Sequence, residues 1–122
     1  MEKYDIKIDG IGTIGKGNYK NIKIDGMETI QGEIEADCIK IDGKAKSLGK
    51  IKCEELKIDG CFTGYEDIVS TNCEVNGYQE TKGSIKGNYL DVDGRLKAEK
   101  EINFERVNVN GELFRKYYLQ YS

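Results

Sequence analysis

A short phrase recurs along the chain with a nearly constant period, and this repeat constrains the fold more than any other feature. The phrase is apolar–any–apolar–Asp/Asn–Gly, as in Ile39-Lys40-Ile41-Asp42-Gly43, and it occurs seven times. Its glycines are 16 residues apart once and 17 residues apart five times: Gly10, Gly26, Gly43, Gly60, Gly77, Gly94 and Gly111. A constant period of this kind indicates a repeat architecture in which each unit packs on the next.

Two columns of aliphatic residues accompany these glycines. Two residues before each glycine stand Ile8, Ile24, Ile41, Ile58, Val75, Val92 and Val109. Eight residues after the glycines of the full units stand Ile34, Ile51, Ile68, Ile85 and Ile102. Apolar and polar residues alternate around them, which is typical of a strand with one buried face. We therefore predict that both columns form the interior core ladder.

A 17-residue unit suits one coil of a β-solenoid. Helical repeats need about 33–47 residues per unit, whereas 17 residues accommodate three short strands and three turns. Each strand would pair with its counterpart about 4.8 Å along the axis. Gly tolerates positive φ and Asp or Asn bonds its own backbone, so the Asp/Asn-Gly pairs are the predicted turns. The sequence predicts an all-β fold, a single parallel β-helix of six to seven coils over residues 1–111.

Handedness and two irregular units complete the predicted fold. Left-handed hexapeptide solenoids place an aliphatic residue every six positions, and the columns here do not, so we expect a right-handed helix. The first unit is one residue short, and we place the deletion in the glycine-rich residues 12–17. The unit at residues 61–77 has Gly64 early and is polar at residues 70–72. We expect a bulge or a bent loop there.

Composition excludes several classes of function. The chain has no His, which removes the commonest catalytic base and imidazole metal ligands. The net charge of −3 argues against nucleic-acid binding. Cysteines stand in four different columns without a C-x-x-C pair, so reduced thiols are expected: Cys38, Cys53, Cys61 and Cys73. No signal-peptide layout is present at residues 1–5. We expect a cytoplasmic protein that is not an enzyme and that needs no cofactor or metal.

Two outward columns have alternative interpretations. The aspartates of the repeat are interrupted by two asparagines: Asp9, Asp25, Asp42, Asp59, Asn76, Asp93 and Asn110. We interpret them as turn residues, and Ca²⁺ binding by stacked carboxylates is the alternative. The neighbouring column runs Lys7, Lys23, Lys40, Lys57, Glu74, Asp91 and Asn108. We interpret it as a solvated face, and a basic stripe for an anionic lipid or polymer is the alternative.

The two ends of such a rod are the predicted places of assembly. A solenoid leaves unpaired strand edges and an open core at both ends. At the N-terminal end the candidate assembly residues are Ile6 and Ile8, in the first coil. At the C-terminal end an aromatic segment, residues 112–122, is expected to cap the last coil, to associate with another copy, or both. Its candidate assembly residues are Phe114, Tyr117, Tyr118, Leu119 and Tyr121.

The repeat resembles that of the bactofilins, which are bacterial polymer-forming cytoskeletal proteins. The resemblance rests on units such as Gly49-Lys50-Ile51-Lys52-Cys53-Glu54-Glu55-Leu56-Lys57-Ile58-Asp59-Gly60 and extends over about residues 5–111. It implies a right-handed, roughly triangular β-helix that assembles end to end without nucleotide. Many bactofilins carry an N-terminal membrane-targeting tail, whereas the first repeat here begins almost at once, so membrane association is not expected.

These features lead to three hypotheses of function. The favoured hypothesis is a cytoskeletal scaffold whose partner is itself, as a homo-oligomer or filament, with unknown further protein partners. The first alternative is a monomeric binding module that presents a flat face to a protein or a polysaccharide. The second alternative is a solenoid acyltransferase, which the missing His disfavours.

Overall fold

Long and short β-strands alternate along the described chain. The computed structural model describes residues 4–115, and no helix occurs within that range. The long strands are β1 Tyr4–Ile8, β3 Gly17–Ile24, β5 Ile34–Ile41, β7 Ile51–Ile58, β9 Ile68–Val75, β11 Ile85–Val92 and β13 Ile102–Val109. The short strands are β2 Ile11–Ile14, β4 Met27–Ile30, β6 Lys44–Ser47, β8 Cys61–Gly64, β10 Tyr78–Thr81, β12 Arg95–Ala98 and β14 Glu112–Arg115.

The strands stack into a parallel β-solenoid of about seven coils. The seven long strands form one sheet and the seven short strands form another, each in chain order. Every neighbouring pair is parallel. From the second coil onward, residues 17 apart face each other, as Ile34 faces Ile51 and Ile41 faces Ile58. The predicted fold class and period are confirmed. The right-handed sense stays a prediction.

Each coil has two strands rather than the three predicted, because the long strand carries a bend. In β5 the buried residues are Ile34 and Ala36, then Ile39 and Ile41. Two consecutive residues between these pairs, at positions 37 and 38, lie outside the core, which breaks the period of two. The ladder to β7 pairs Ala36 and then resumes at Cys38. One continuous strand therefore supplies two walls, and the short strand supplies the third.

The predicted aliphatic columns form the core except at the two ends. Ile41 and Ile58 are completely buried, and the column that begins at Ile34 is buried in all five coils. Ile8 is only partly buried, and Val109 is 38% exposed. The expectation that both lie inside the core is therefore wrong for Val109 and only partly right for Ile8. Their coils are the first and the last, so they have a neighbour on one side only.

The short strands contribute two inward columns that the sequence analysis did not identify. The first is Gly12, Glu28, Ala45, Phe62, Gln79, Leu96 and Leu113, and the second begins Ile14, Ile30, Ser47, Gly64, Thr81 and Ala98. Large and small residues compensate each other in this wall. A Cβ on Gly64 would lie 3.1 Å from Cδ1 of Ile68 and 3.6 Å from Cε2 of Phe62. The small residue makes room for the large ring beside it.

The unit at residues 61–77 is regular, and the expected bulge is wrong. Its strands β8 and β9 keep the lengths and the register of their neighbours. The polar residue Ser70 is buried, and its hydroxyl donates to the carbonyl oxygen of Asn72 at 2.6 Å. Within the described residues, the register shifts between Tyr4 and Asp5, where β1 pairs with β3. A small hydroxyl that bonds locally fits an inward position without bending the strand.

The missing residue of the first unit lies where the sequence predicts it. Ile14 faces Ile30, an offset of 16, whereas Gly17 faces Ile34, an offset of 17. The first coil is therefore shorter by one residue between Ile14 and Gly17, inside the predicted stretch.

The turn glycines are required by close approach and not by positive φ. Among the described glycines the only positive φ is at Gly17, so the expected conformational reason is wrong. A Cβ on Gly43 would overlap the carbonyl oxygen of Gly26 in the preceding coil, and Gly60 stands in the same relation to Gly43. That carbonyl of Gly26 also accepts the N–H of Lys44 at 2.9 Å. The coils therefore hydrogen-bond so closely at this corner that no side chain fits.

The first prediction concerns the core ladder. Replacing Ile41 or Ile58 by Ala should lower the free energy of unfolding by about 2–5 kcal/mol, because each removes buried methyl groups and leaves a cavity. Replacing Lys40, the residue before Ile41 in β5, by Ala should change it by less than about 0.5 kcal/mol, because its side chain lies on the outer surface. Urea unfolding followed by circular dichroism measures both. Equal tolerance at Ile41 and Lys40 would contradict the ladder.

The second prediction concerns the turn corner. Gly60→Ala should destabilise the protein by at least about 1–3 kcal/mol, because its methyl group would meet backbone of the preceding coil. Gly10→Ala is the matched control at the same position of the first coil, where nothing lies within 4 Å of the added carbon. It should be neutral or stabilising by up to about 1 kcal/mol. The midpoints of thermal unfolding of the two variants measure this difference in stability. Equal destabilisation by both would show that close approach between coils does not explain the need for glycine at this corner.

Candidate functional site

The two ends of the rod leave strand edges and core residues uncovered. Within residues 4–115, the first-coil strands pair only with the second coil, and the last-coil strands pair only with the sixth. At the N-terminal end Ile6 and Ile8 are partly buried against the core, and at the C-terminal end Val107 has the same intermediate burial. The predicted N-terminal assembly residues therefore lie at a free edge. Free backbone groups and open apolar residues are what a further strand pairs with.

Phe114 is an exposed aromatic residue on the outer surface of the last described coil, and Arg95 lies over its ring. Its ring is 46% exposed, and the guanidinium carbon of Arg95 lies 5.5 Å from the ring centroid. The same guanidinium donates from Nε at 3.1 Å and from Nη2 at 2.8 Å to Oε2 of Glu112. A cation over an aromatic face is attracted by the ring electrons. The other predicted assembly residues of this segment, Tyr117, Tyr118, Leu119 and Tyr121, lie outside the described residues.

The outer face of the short-strand sheet, here called the short-strand face, carries apolar side chains near its N-terminal end. Ile11 is 88% exposed and Met27, directly above it in the ladder, is 52% exposed. Leu48 and Tyr65, which follow β6 and β8 at the adjoining corner, are also exposed. A run of exposed apolar residues on one face is typical of an interaction surface.

These apolar side chains line a groove together with two cations. The groove has a volume of about 410 Å³, and its walls include Ile11, Met27 and Tyr65. Lys44 and Lys46, from β6, stand in the same wall. The groove therefore offers an apolar floor with ammonium groups beside it, in the first four of the seven coils.

The predicted lysine column stacks on the outer face of the long strands, and the aspartate column stacks in the turns that follow those strands. Lys40 faces Lys57, and Lys57 faces Glu74. Asn76 donates to Oδ1 of Asp59 at 2.9 Å, which lowers the pKa of that carboxyl. In contrast, burial and a hydrogen bond shared with Asp59 raise the pKa of Asp42. Along the aspartate column an amide hydrogen bond favours the ionised form of Asp59, whereas the neighbouring Asp42 keeps its proton to a higher pH than an isolated aspartate.

Three acids of these columns come close together. Glu74, Asp91 and Asp93 each place a carboxylate oxygen within 4.8 Å of the others. The amide of Asn108 donates to Asp91 at 3.2 Å and that of Asn110 donates to Asp93 at 2.9 Å. Partial burial raises the pKa of Asp91, and the charges of Asp93 and Glu74 add to the effect. These hydrogen bonds account for the arrangement as part of the turn ladder.

The cysteines fall in different surroundings, as their columns predict. All four are free thiols. Cys53 and Cys73 are buried core residues, and burial raises the pKa of Cys53 to about 11 and that of Cys73 further still. Cys38 is half-buried, whereas Cys61 is exposed on the short-strand face. The buried thiols are protonated at neutral pH, so they behave as small apolar side chains.

Glu28 is a buried carboxyl that sequence analysis missed. It is 4% exposed and points inward from β4 toward the first coil. Its Oε2 would lie 3.2 Å from a Cβ on Gly12, close to Ile8, and that oxygen has no hydrogen-bond partner among the described residues. Its Oε1 accepts the N–H of Thr29 at 3.0 Å. Burial raises the pKa of Glu28.

The other buried polar residues of the core are satisfied. Gln79 donates from Nε2 to the hydroxyl of Thr81 at 3.0 Å, and Ser47 donates to the carbonyl oxygen of Gly49 at 2.9 Å. A buried polar group without a partner costs free energy. Glu28 is therefore exceptional among the described core residues, and it lies next to the N-terminal end of the rod.

Comparisons with protein families, with curated proteins and with solved structures give no match to this chain. No helix of the described residues is long and apolar enough to cross a membrane. Functional inference therefore rests on the repeat and on the surfaces described above.

The third prediction concerns Glu28 and pH. Because burial raises its pKa above the ordinary 4.5, its protonated form is the one that the core favours. Stability should be fully present below about pH 4.5 and should fall as the pH rises through the raised pKa. Glu28→Gln removes the charge, and the column already accommodates Gln79. This variant should match the wild type at pH 4 and melt about 2–8 °C higher at pH 8.

Calorimetry at the two pH values measures this difference. The control is Glu35→Gln, which removes an exposed carboxylate from the neighbouring long strand. A control that shifts the melting temperature as much as Glu28→Gln would show that net charge, and not burial, is responsible.

Proposed function

We propose that this protein is a cytoskeletal scaffold that assembles end to end into filaments, without nucleotide and without enzymatic activity. The observation that carries the proposal is that core residues are uncovered at the two ends of the rod. Val109 is 38% exposed in the last coil, whereas Val92, the same position one coil earlier, is completely buried. A further coil in the same register would cover it. The resemblance of the repeat to that of the bactofilins agrees with this function.

The strand edges supply the second reason. Each interior coil hydrogen-bonds to a coil on both sides, and each end coil of the described residues has one open side. Another copy is the partner whose spacing and strand direction match such an edge. The contact between two copies would have the cross-section of one coil. We expect it to bury less surface than the roughly 1,200 Å² of standard interfaces. Each joint should therefore be weak, and the length of the polymer should depend on protein concentration.

A monomeric binding module is the second candidate, and the groove of the short-strand face favours it. Such a module would use the flat face for a protein or a polysaccharide. It would leave the rod ends without a partner, so the two functions differ in what happens at high protein concentration.

The fourth prediction tests the assembly. Sedimentation velocity and electron microscopy of the purified protein should show oligomers that lengthen with concentration. Replacing Phe114, Tyr118 or Leu119 by Asp should shorten or abolish them, because a charge at the joint must lose its water. Val109→Lys places a charge at the open end of the core and should act in the same way. Circular dichroism checks that each variant keeps its β-structure.

Lys23→Ala and Lys40→Ala are the controls, since both lie on the outer face of the long strands. They should leave the oligomers unchanged. A protein that stays monomeric up to millimolar concentration would contradict the filament and would leave the binding module as the better explanation.

A further inference from the structure

We propose that the groove of the short-strand face receives the C-terminal segment of another copy, residues 116–122, so that the copies join head to tail. This inference rests on the proposed end-to-end assembly and adds to it the polarity and the surface of the joint. It commits the groove to one occupant, which is a segment of this same chain.

The chain leaves the rod from the sheet that carries the groove. The last described strand, β14, belongs to the short-strand sheet and ends at Arg115, which faces Ala98 in the ladder. In the repeat, the residue after that position corresponds to Leu48 and Tyr65 of earlier coils. The segment therefore begins at the same corner of the rod that the groove borders.

The segment is long enough to reach the groove of a neighbouring copy but not all of its own. Seven residues span at most about 23–25 Å when extended. Coils rise by about 4.8 Å, so Ile11 of the same copy is about 29 Å from the last coil and Tyr65 about 14 Å. The segment cannot cover the whole groove of its own copy. In a copy stacked head to tail, Ile11 is one coil away and Tyr65 is four coils or about 19 Å away, which is within reach.

The side chains of the C-terminal segment match the chemistry of the groove. The segment contains Tyr117, Tyr118, Leu119 and Tyr121. Their apolar surfaces suit the groove wall of Ile11 and Met27, both of which are exposed in the part of the chain that the structure describes. The groove also holds Lys44 and Lys46 and the hydroxyls of Thr29 and Thr63. Ammonium groups bind the faces of tyrosine rings, and threonine hydroxyls pair with phenol groups.

The opposite order of assembly reaches only one end of the groove. A joint between two C-terminal ends would set each segment against coils seven to four of its neighbour. It would reach Tyr65 and leave Ile11 and Met27 exposed. Only the head-to-tail joint covers all three apolar side chains of the groove.

Cysteine trapping between two differently tagged proteins tests this joint. Both proteins carry Cys38→Ser and Cys61→Ser, because these two thiols are the accessible ones, while Cys53 and Cys73 are buried. One protein then carries Met27→Cys and the other carries Tyr118→Cys. A disulfide between the two tags forms only between copies, so attachment of the segment to its own copy is not counted.

The control replaces Met27→Cys by Lys20→Cys. Lys20 is exposed and lies in the same coil, at the bend between the two walls of the long strand. The Met27–Tyr118 pair should form disulfide about a hundredfold faster than the Lys20–Tyr118 pair, because a docked segment raises the local concentration of its thiol. Ile11→Asp in the Met27→Cys protein should remove most of this advantage.

The outcomes separate this inference from the proposed function. Fast trapping at Met27 with slow trapping at Lys20 supports the docked segment. Equal rates at both sites in a sample that sedimentation shows to be polymeric would overturn the docked segment and leave the filament intact. If the sample is monomeric at every concentration, the proposed function and this inference both fail. Trapping between two Tyr118→Cys proteins that exceeds trapping at Met27 would replace the head-to-tail joint by one between C-terminal ends.

Discussion

The close spacing of successive coils is the constraint on which the rest of this structure depends. Parallel strands pair at about 4.8 Å, and here that spacing is kept through the corner as well as along the strands. Gly43 and Gly60 each stand against the carbonyl oxygen of the preceding turn glycine, with no space for a Cβ. One glycine per coil is therefore required by packing. This requirement recurs with the 17-residue period, and that period stacks the remaining positions of each coil into columns.

The period and the long-strand walls were predictable because their chemistry is uniform. Ile41 and its equivalents are aliphatic in every coil, so their column is visible in the sequence. The short-strand wall was not predictable, because one inward column changes from Gly12 to Glu28, Ala45 and Phe62. The volumes compensate between neighbouring coils and columns. A column analysis cannot detect a wall in which total volume is conserved and residue type is not.

The candidate site divides in the same way. The open ends follow from the topology, so Ile6, Ile8 and the aromatic segment could be chosen from the sequence. The groove could not, because Ile11 and Met27 share a column with Lys44 and an exposed cysteine. A usable signal was nonetheless present. Both apolar residues directly follow a turn glycine, at a position where the five later coils carry no aliphatic residue: Lys44, Cys61, Tyr78, Arg95 and Glu112.

The features at the N-terminal end together lower the stability of the first coil. The first coil lacks one residue, Gly12 contributes no side chain to the core, and the carboxyl of Glu28 occupies the space beside it. In a repeat protein each coil is stabilised by its neighbours, so a coil with one neighbour and few fully buried apolar side chains opens first. A second copy on that end would supply the missing neighbour and cover Ile8. Assembly would then stabilise the weakest coil of the rod, which couples the folding of that coil to the growth of the filament.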